Sequence, residues 1–308
     1  MTLTARDTSL APGLAALHDV TQQTYPPGAL YVVATPVGNL GDISVRALHV
    51  LALVDAVACE DTRNTGQMLA RYGISTSLLA AHQHNEREVA QALVSRLQAG
   101  QRIALVSDAG TPAVSDPGAR IVDSVIEAGL RVIPLPGASA AIAALSAAGM
   151  LADQFHFAGF LPARAAQRDG VLRKLAALPA TLVFYEAPHR IVETVNALGA
   201  ALGAARKVVL ARELTKQFEQ IHRCTLHEAP AWLQQDSNHQ RGEFVVLVEG
   251  APEQDADQAE VDRILAILLS ECPVRQAATL AARITGLKKN ALYDRALALK
   301  GETGVPPG

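Results

Sequence analysis

Cysteine is scarce in this 308-residue sequence, which contains only Cys59, Cys224 and Cys272. Because no two of them lie close together along the chain, the sequence predicts neither a disulfide framework nor a zinc site, and we expect no metal ion. The first residues also lack the basic run and apolar core of a signal peptide. Both absences favour a protein of the reducing cytoplasm.

Long apolar segments are also rare. One stretch, residues 132–152, carries no charged side chain and is long enough to cross a membrane. It contains Pro134, Pro136 and Gly137 and is otherwise rich in alanine. Such a stretch is typical of a buried core helix, so we expect no membrane partner.

Basic and acidic side chains are nearly balanced over the whole chain, with a net charge of −3. Its distribution is uneven, however. Residues 160–223 contain ten basic and five acidic side chains, residues 261–308 contain seven and four, and residues 224–260 contain one and eight. Clustered positive charge is typical of a surface that binds a polyanion.

Two similar segments organise the predicted fold. In each, an apolar run (residues 103–106 and 132–135) leads into a loop rich in glycine and proline and then into an alanine-rich helical pattern. This order is typical of an open parallel sheet, in which ligands bind where the carboxyl ends of the strands open into loops. A third loop, residues 35–42, follows the first predicted strand but lacks the spacing of a dinucleotide fingerprint. We expect these loops to contact a ligand.

The pattern of elements changes after residue 150. Residues 1–27 are predicted to form a flexible tail, residues 28–150 an α/β domain with a parallel sheet, and residues 151–252 a second α/β domain with a mixed sheet. Residues 253–308 are predicted to form a small helical module, with a turn between two helices at residues 284–290.

Six segments stand in an order that resembles a known family. They are residues 34–42 (ATPVGNLGD), 60–63 (EDTR), 107–118 (SDAGTPAVSDPG), 136–139 (PGAS), 184–190 (FYEAPHR) and 212–216 (RELTK). Together they resemble the tetrapyrrole methylase superfamily and, within it, the small-subunit ribosomal RNA methyltransferase I family. The resemblance implies two α/β domains and an S-adenosylmethionine cofactor. It also implies 2′-O-methylation of a cytidine ribose in the decoding centre of small-subunit (16S) rRNA by a cytoplasmic homodimer. We expect the assembled 30S subunit to be the substrate, with naked rRNA as the alternative.

The resemblance further implies which residues bind the cofactor. Thr111 stands where the superfamily commonly has a carboxylate, so the main chain of that turn is expected to make the contact. The residues expected to bind the cofactor are Pro36, Gly38, Gly110, Thr111, Pro112, Ser139, Ala140, Tyr185, Glu186 and Leu214.

A ribose hydroxyl is a weak nucleophile, so its methylation benefits from a base or from a partner that lowers its pKa. The candidates are Glu213, Lys216 and Asp61, with His189 and Glu186 as further possibilities. Structural roles stay open for several of them. Glu213 can pair with Arg212, and Asp61 can cap the following helix.

Contacts with RNA are expected from basic side chains, because a guanidinium offers a rigid bidentate fork to phosphate. Aromatic residues account for only 4% of the chain, which leaves few platforms for stacked bases. The best-placed ring side chains for stacking are Tyr185, Phe160 and His189. The expected RNA-binding residues are Arg63, His189, Arg190, Lys288 and Lys289.

Two other functions are consistent with these residues. A methyltransferase acting on a small tetrapyrrole would also bind an anion, so the basic middle segment does not exclude it. A non-catalytic RNA-binding assembly factor could retain the cofactor pocket, since no single base is identifiable. The lysine-bearing helical tail and the Glu-Asp-Thr-Arg loop favour RNA.

Overall fold

The structure is a computed structural model that describes residues 18–82, 86–151 and 153–302, without the side chains of residues 253–257 and 301–302. The chain forms two compact units. One consists of the residues up to Ala148 with 211–221 and 242–245, and the other of residues 149–210, 222–241 and those from Val246 onward. Most of the predicted flexible tail, residues 1–17, lies outside the described residues.

A five-stranded parallel sheet forms the framework of the first unit. Its order is β3-β2-β4-β1-β5, and every neighbouring pair is parallel, as predicted. Tyr31 and Val33 of the first strand belong to one apolar cluster and Leu30 to another, so the sheet is covered on both faces. The strands are β1 (Ala29–Val33), β2 (Ala56–Cys59), β3 (Leu78–Ala80), β4 (Ile103–Leu105) and β5 (Arg131–Leu135).

Helices follow the strands of this sheet. Ser44 caps the first of them by accepting a hydrogen bond from the main-chain N–H of Ala47 at 3.1 Å. The uncharged stretch at 132–152 is divided between a strand and a helix, whose buried face is made of alanines. Among the described residues, no helix is both long and apolar enough to span a membrane. The helices are α1 (Val45–Leu53), α2 (Thr62–Arg71), α3 (Glu86–Gln98), α4 (Ala119–Glu127) and α5 (Ala140–Ala148).

The second sheet is mixed, as predicted, with the order β6-β7-β10-β8-β9. Its first two strands are parallel. Glu249 N–H donates to the Lys207 carbonyl oxygen and Glu213 N–H to that of Glu243, so β8 and β10 run in opposite directions. The strands are β6 (Phe155–Phe160), β7 (Thr181–Glu186), β8 (Lys207–Arg212), β9 (Gln220–Thr225) and β10 (Phe244–Val248); the helices are α6 (Ala165–Leu175), α7 (Ile191–Leu202) and α8 (Ala229–Gln235).

Three helices follow the second sheet: α9 (Glu253–Glu271), α10 (Val274–Thr285) and α11 (Lys289–Glu302). They share an apolar cluster that includes Val261, Leu265 and Leu292. Gly286, in the left-handed conformation with φ of +73°, ends α10. The predicted turn between two helices at 284–290 is therefore confirmed.

Candidate functional site

Three loops of the first unit are joined at the carboxyl edge of its sheet. Because the strands are parallel, the loops after β1, β4 and β5 emerge at the same edge. Thr35 and Gly110 exchange two main-chain hydrogen bonds of 2.9 Å, and the buried Thr35 hydroxyl donates to the Ser107 carbonyl oxygen at 3.0 Å. The Thr111 hydroxyl donates to the Ala138 carbonyl oxygen at 3.0 Å. The three glycine-containing loops singled out in the sequence thus form one connected surface.

Glycine is required where these loops meet. Gly110 is buried and has a φ of +81°, a left-handed conformation that favours glycine. A Cβ atom at Gly137 would lie 2.8 Å from the Cβ atom of Ala34. Because the Thr111 hydroxyl is bonded within the protein, its main chain is the part of this residue left for a ligand.

The turn at residues 213–216 packs against the loop after β1, within the same unit. A Cβ atom at Gly38 would lie 2.5 Å from Cγ of Lys216, 2.9 Å from Oγ1 of Thr215 and 3.0 Å from the carbonyl oxygen of Leu214. These distances leave room for no side chain at Gly38. Gly38 and Leu214, both expected to bind the cofactor, are therefore brought together.

This turn has an unusual backbone and is held by ion pairs. Glu213 and Thr215 have φ values of +51° and +64°, which are costly for residues other than glycine. Lys216 Nζ donates to Glu213 Oε1 at 2.9 Å and to Glu243 Oε2 at 3.0 Å. The Thr215 hydroxyl is buried and finds no hydrogen-bond partner in the described part of the chain. Such a turn persists because the surrounding contacts hold it.

The same ion pairs determine the charge of two predicted catalytic residues. Burial acts to raise the pKa of Glu213, but hydrogen bonds from Lys216 and from the Glu243 main chain outweigh it and hold this pKa below its usual value. Burial acts to lower the pKa of Lys216, but its bonds to Glu213 and Glu243 raise it. Glu213 is therefore ionised and weakly basic, and its carboxylate already accepts hydrogen bonds from Lys216 and Glu243. The geometry favours a positioning role for both side chains.

Asp61, the third predicted catalytic residue, is the N-cap of α2, the structural alternative that the sequence left open. Its Oδ1 accepts a hydrogen bond from the main-chain N–H of Arg63 at 2.8 Å, and its Oδ2 lies 3.0 Å from the Arg63 guanidinium. Hydrogen bonds from the side chain and then the main chain of Arg63 lower the pKa of Asp61. The Arg63 side chain is 84% exposed, so it stays accessible to an anion.

Asp116 is a charged residue of this edge that sequence analysis did not single out. Burial, together with the charges of Glu60 and Asp108, raises its pKa to about 6 despite a hydrogen bond from Ser107. Asp108 in turn accepts a hydrogen bond from Asn64 Nδ2 at 2.9 Å. Glu60 belongs to a different loop from Asp108 and Asp116, so no local pattern in the sequence signals its proximity to them. Their negative charge favours a cationic ligand group at this edge.

Glu186 and Arg190 have partners inside the second unit. The buried Glu186 carboxylate accepts a hydrogen bond from the Thr194 hydroxyl at 2.6 Å and lies 3.4 Å from Nε of Arg190. Arg190 Nη2 donates to the Leu161 carbonyl oxygen at 2.7 Å. These side chains, expected from the sequence to bind cofactor and RNA, thus organise the loops around them. Between them along the chain, His189 is exposed.

The remaining predicted RNA-binding residues lie on the helical module. Lys288 and Lys289 are exposed at the turn between α10 and α11. Ile284 and Leu287 on the same turn are 63% and 50% exposed. Within the described ranges, no group of three His, Cys, Asp or Glu side chains could hold a metal ion.

Known families match most of the chain. Residues 29–230 match the tetrapyrrole (corrin/porphyrin) methylases, and residues 255–300 match the RsmI C-terminal HTH domain. Two curated relatives are both named ribosomal RNA small subunit methyltransferase I. The protein of Escherichia coli O157:H7 is 52% identical over 275 residues, which cover 89% of this chain and 96% of that protein. The Pseudomonas aeruginosa protein is 52% identical over 279 residues, which cover 90% and 99%.

Solved structures share the fold at much lower identity. The cobalamin biosynthetic enzyme cobalt precorrin-4 methyltransferase, CbiF, is 19% identical with a TM-score of 0.54, and the match covers 74% of this chain and 98% of that one. The methyltransferase CobJ is 21% identical with a TM-score of 0.56, covering 73% and 95%. At these identities the similarity concerns the fold alone.

Proposed function

Because the chain belongs to the tetrapyrrole (corrin/porphyrin) methylase family and is a methyltransferase, we propose that it transfers a methyl group from S-adenosylmethionine to the 2′-hydroxyl of a cytidine in small-subunit ribosomal RNA. The observation that carries the proposal is that about half of the residues are identical to those of relatives named for that RNA, over nearly the whole length of the relatives. The finer parts, the cytidine ribose and the decoding centre, are what the resemblance of the sequence motifs to the family implies.

The joined loops of the first unit fit the proposed cofactor. Gly38 and Gly137 stand where a Cβ atom would collide with neighbouring residues, and Gly110 has a left-handed φ, so these glycines let the loops pack closely into the surface proposed for the cofactor. When bound, S-adenosylmethionine supplies an activated methyl group on a positively charged sulfonium, and the carboxylates of Asp108 and Asp116 favour that charge. The residues of the first unit proposed to hold it are Pro36, Gly38, Gly110, Thr111, Pro112, Ser139, Ala140 and Leu214. Tyr185 and Glu186 are further cofactor-binding residues that the family resemblance predicts.

The proposed catalytic residues act chiefly through position. Lys216 bridges Glu213 and Glu243 and so holds the turn at 213–216 against Gly38. Asp61, with its lowered pKa, stays charged and orients the exposed Arg63. Because the methyl donor is already activated, orienting the ribose hydroxyl in a dry site supplies much of the acceleration.

RNA contacts are proposed for exposed basic side chains. Arg63 and His189 are exposed, as are Lys288 and Lys289 on the helical module. Arg190, the other predicted RNA-binding residue, is proposed to position the loop at Leu161, whose carbonyl oxygen accepts a hydrogen bond from its guanidinium. Because phosphate contacts release counterions, RNA affinity should fall steeply with salt concentration. The proposal includes the assembled 30S subunit as substrate and a homodimer as the active form. Light scattering would test the homodimer.

Transfer of tritiated methyl groups tests the proposed function. The acceptors are small subunits that lack the modification, naked small-subunit rRNA and uroporphyrinogen. We expect label in RNA, at a ribose 2′-oxygen of a cytidine. Label in uroporphyrinogen alone would favour a tetrapyrrole enzyme. Binding of RNA and cofactor without transfer to any acceptor would favour an assembly factor.

A pair of variants on α5 tests the cofactor site. Ala140, half-buried at the start of the helix, and Ala147, exposed two turns later, provide the test and its control. We expect Ala140→Trp to abolish S-adenosylmethionine binding in calorimetry and Ala147→Trp to leave it unchanged. Equal affinity in both folded variants would place the cofactor elsewhere.

A further inference from the structure

Three aromatic side chains of the second unit form a compact cluster where β6 and β7 end. The Tyr185 ring lies 5.0 Å from Phe157 and 5.7 Å from Phe160 between centroids, with interplanar angles of 70° and 66°. Both contacts are edge-to-face, the arrangement that aromatic quadrupoles favour. In a chain with six phenylalanines, two on one tyrosine is a marked concentration.

A β-bulge is what creates this cluster. In a regular strand, residues three apart point to opposite faces, so Phe157 and Phe160 would be separated. The register of β6 against β7 shifts between Phe157 and Gly159, after which Phe160 stands opposite Tyr185. Gly159 has a φ of +64°, which a glycine tolerates. Bulges commonly re-aim a side chain at a functional site, and here the bulge puts both phenylalanines on Tyr185.

The cluster runs from half-buried rings to an exposed one. Phe157 and Tyr185 are half-buried and support the Phe160 ring, which is 55% exposed. The loop that follows Phe160 is fixed, because Arg190 donates to the carbonyl oxygens of Leu161 and Pro162. An exposed ring on a fixed backbone loses little freedom when a flat ligand stacks on it.

One exposed arginine and one exposed histidine lie a few residues from this cluster along the chain. Arg164, four residues beyond Phe160, is exposed and makes no side-chain cap on α6, and His189, four residues beyond Tyr185, is also exposed. Arg164 is the first of the ten basic side chains in residues 160–223. A second copy of the chain docked symmetrically on this surface would bring like charges together, which disfavours it. A polyanion with unpaired bases complements both the charge and the ring.

We propose that Phe160, supported by Tyr185 and Phe157, stacks against an unpaired nucleobase of the substrate RNA. The inference rests on the proposed function and adds a base contact to it. Single-stranded RNA is recognised largely by stacking of exposed bases on aromatic side chains, with basic residues on the backbone. A chain with so few aromatic residues has few other places to make such a contact.

Four variants test the stacking role by steady-state methyl transfer to unmodified small subunits. Phe160→Ala removes the ring, Phe160→Leu keeps an apolar side chain without a flat face, and Phe160→Trp keeps a flat ring. Phe155→Ala is the matched control, since Phe155 is 50% exposed on the same strand but at its other end. We expect the Ala and Leu variants to raise KM for the subunit by about tenfold or more. The Trp variant and the Phe155 control should stay near the wild-type KM.

Three further readouts identify what occupies the ring. S-adenosylmethionine affinity and the oligomeric state should be unchanged in all four variants. The slope of RNA affinity against salt concentration should also be unchanged, because stacking releases no counterions. A wild-type KM in both Phe160→Ala and Phe160→Leu would overturn the inference. Loss of cofactor affinity would assign the ring to the cofactor's adenine instead, and loss of the oligomer would assign it to a second copy. A wild-type protein that methylates no RNA would overturn the proposed function itself.

Discussion

Replacing Gly38 by alanine tests how tightly the turn at 213–216 is packed on the loop after β1. The new Cβ atom would meet Cγ of Lys216 at 2.5 Å, Oγ1 of Thr215 at 2.9 Å and the carbonyl oxygen of Leu214 at 3.0 Å. The φ of Gly38 is not in the left-handed region, so the cost is steric. Lys216 cannot simply swing away, because its ammonium is held by Glu213 and Glu243.

The magnitude follows from which contacts give way. Overpacking of this kind costs about 1–3 kcal/mol. The ion pair with Glu243, whose side chain is 79% exposed, contributes at most about 1 kcal/mol. The steric term is therefore the larger one. We expect Gly38→Ala to lower the free energy of unfolding by about 1–3 kcal/mol and to weaken S-adenosylmethionine binding, because the loop it displaces carries Pro36.

Urea unfolding followed by circular dichroism measures the loss, and a double-mutant cycle identifies its cause. Lys216→Ala removes the Cγ atom that would be struck, so the double variant should be less destabilised than the sum of the single ones by at least about 0.5 kcal/mol. Gly170→Ala is the control. Gly170 lies in α6, and no atom stands within 4 Å of the position that a Cβ atom would take there, so alanine should be neutral or stabilising.

Two results would refute this reasoning. The first is a Gly38→Ala protein as stable as the wild type. The second is strict additivity of the two substitutions, which would mean that the turn and the loop do not press on each other.

Three further predictions concern titration and the helical module. Because the pKa of Asp116 is raised to about 6, its protonated form stabilises the fold at low pH, and this stability is lost as pH rises through about 6. Asp116→Asn should therefore raise the melting temperature at pH 8 more than at pH 4.5. An equal gain at both pH values would contradict this pKa. Burial and then His239 lower the pKa of His222, whose ring stacks on Trp232 at 4.0 Å, so the folded protein loses stability as pH falls through the lowered pKa. His222→Phe keeps a ring but cannot be protonated, so calorimetry should show that it loses less stability than the wild type between pH 7 and 5. Arg295 pairs with Asp262 through two nitrogens and so joins α11 to α9; Arg295→Met should weaken these helices by about 1 kcal/mol, visible as faster amide exchange in α9 and α11 and absent from β1.

Much of the fold could be predicted from local sequence patterns. The parallel sheet follows from apolar runs such as residues 103–106, each bounded by a glycine loop and a helical pattern, and the turn at 284–290 follows from Gly286 and its neighbours. Asp61 was open to a capping role because a carboxylate before a helix is a local signal. These features depend on residues a few positions apart, so the sequence carries the information for them directly.

The order of segments also determined the family on its own. Motifs such as residues 107–118 and 184–190 are short and ordered, so they can be recognised without coordinates. The charge excess in residues 160–223 likewise pointed to a polyanion before any surface was known.

Only the tertiary structure decided how distant segments meet. It joins residues 211–221 and 242–245 to the first unit and places Glu243 on Lys216. It also raises the pKa of Asp116, first by burying this side chain and then by bringing the charges of Glu60 and Asp108 near, and it turns Phe160 onto Tyr185 through a bulge. Each of these depends on a distance across the fold or on one extra residue in a strand. Neither kind of feature produces a periodic pattern in the sequence. Hydrophobic periodicity indicates which face of an element is buried, but not which atoms that face will contact.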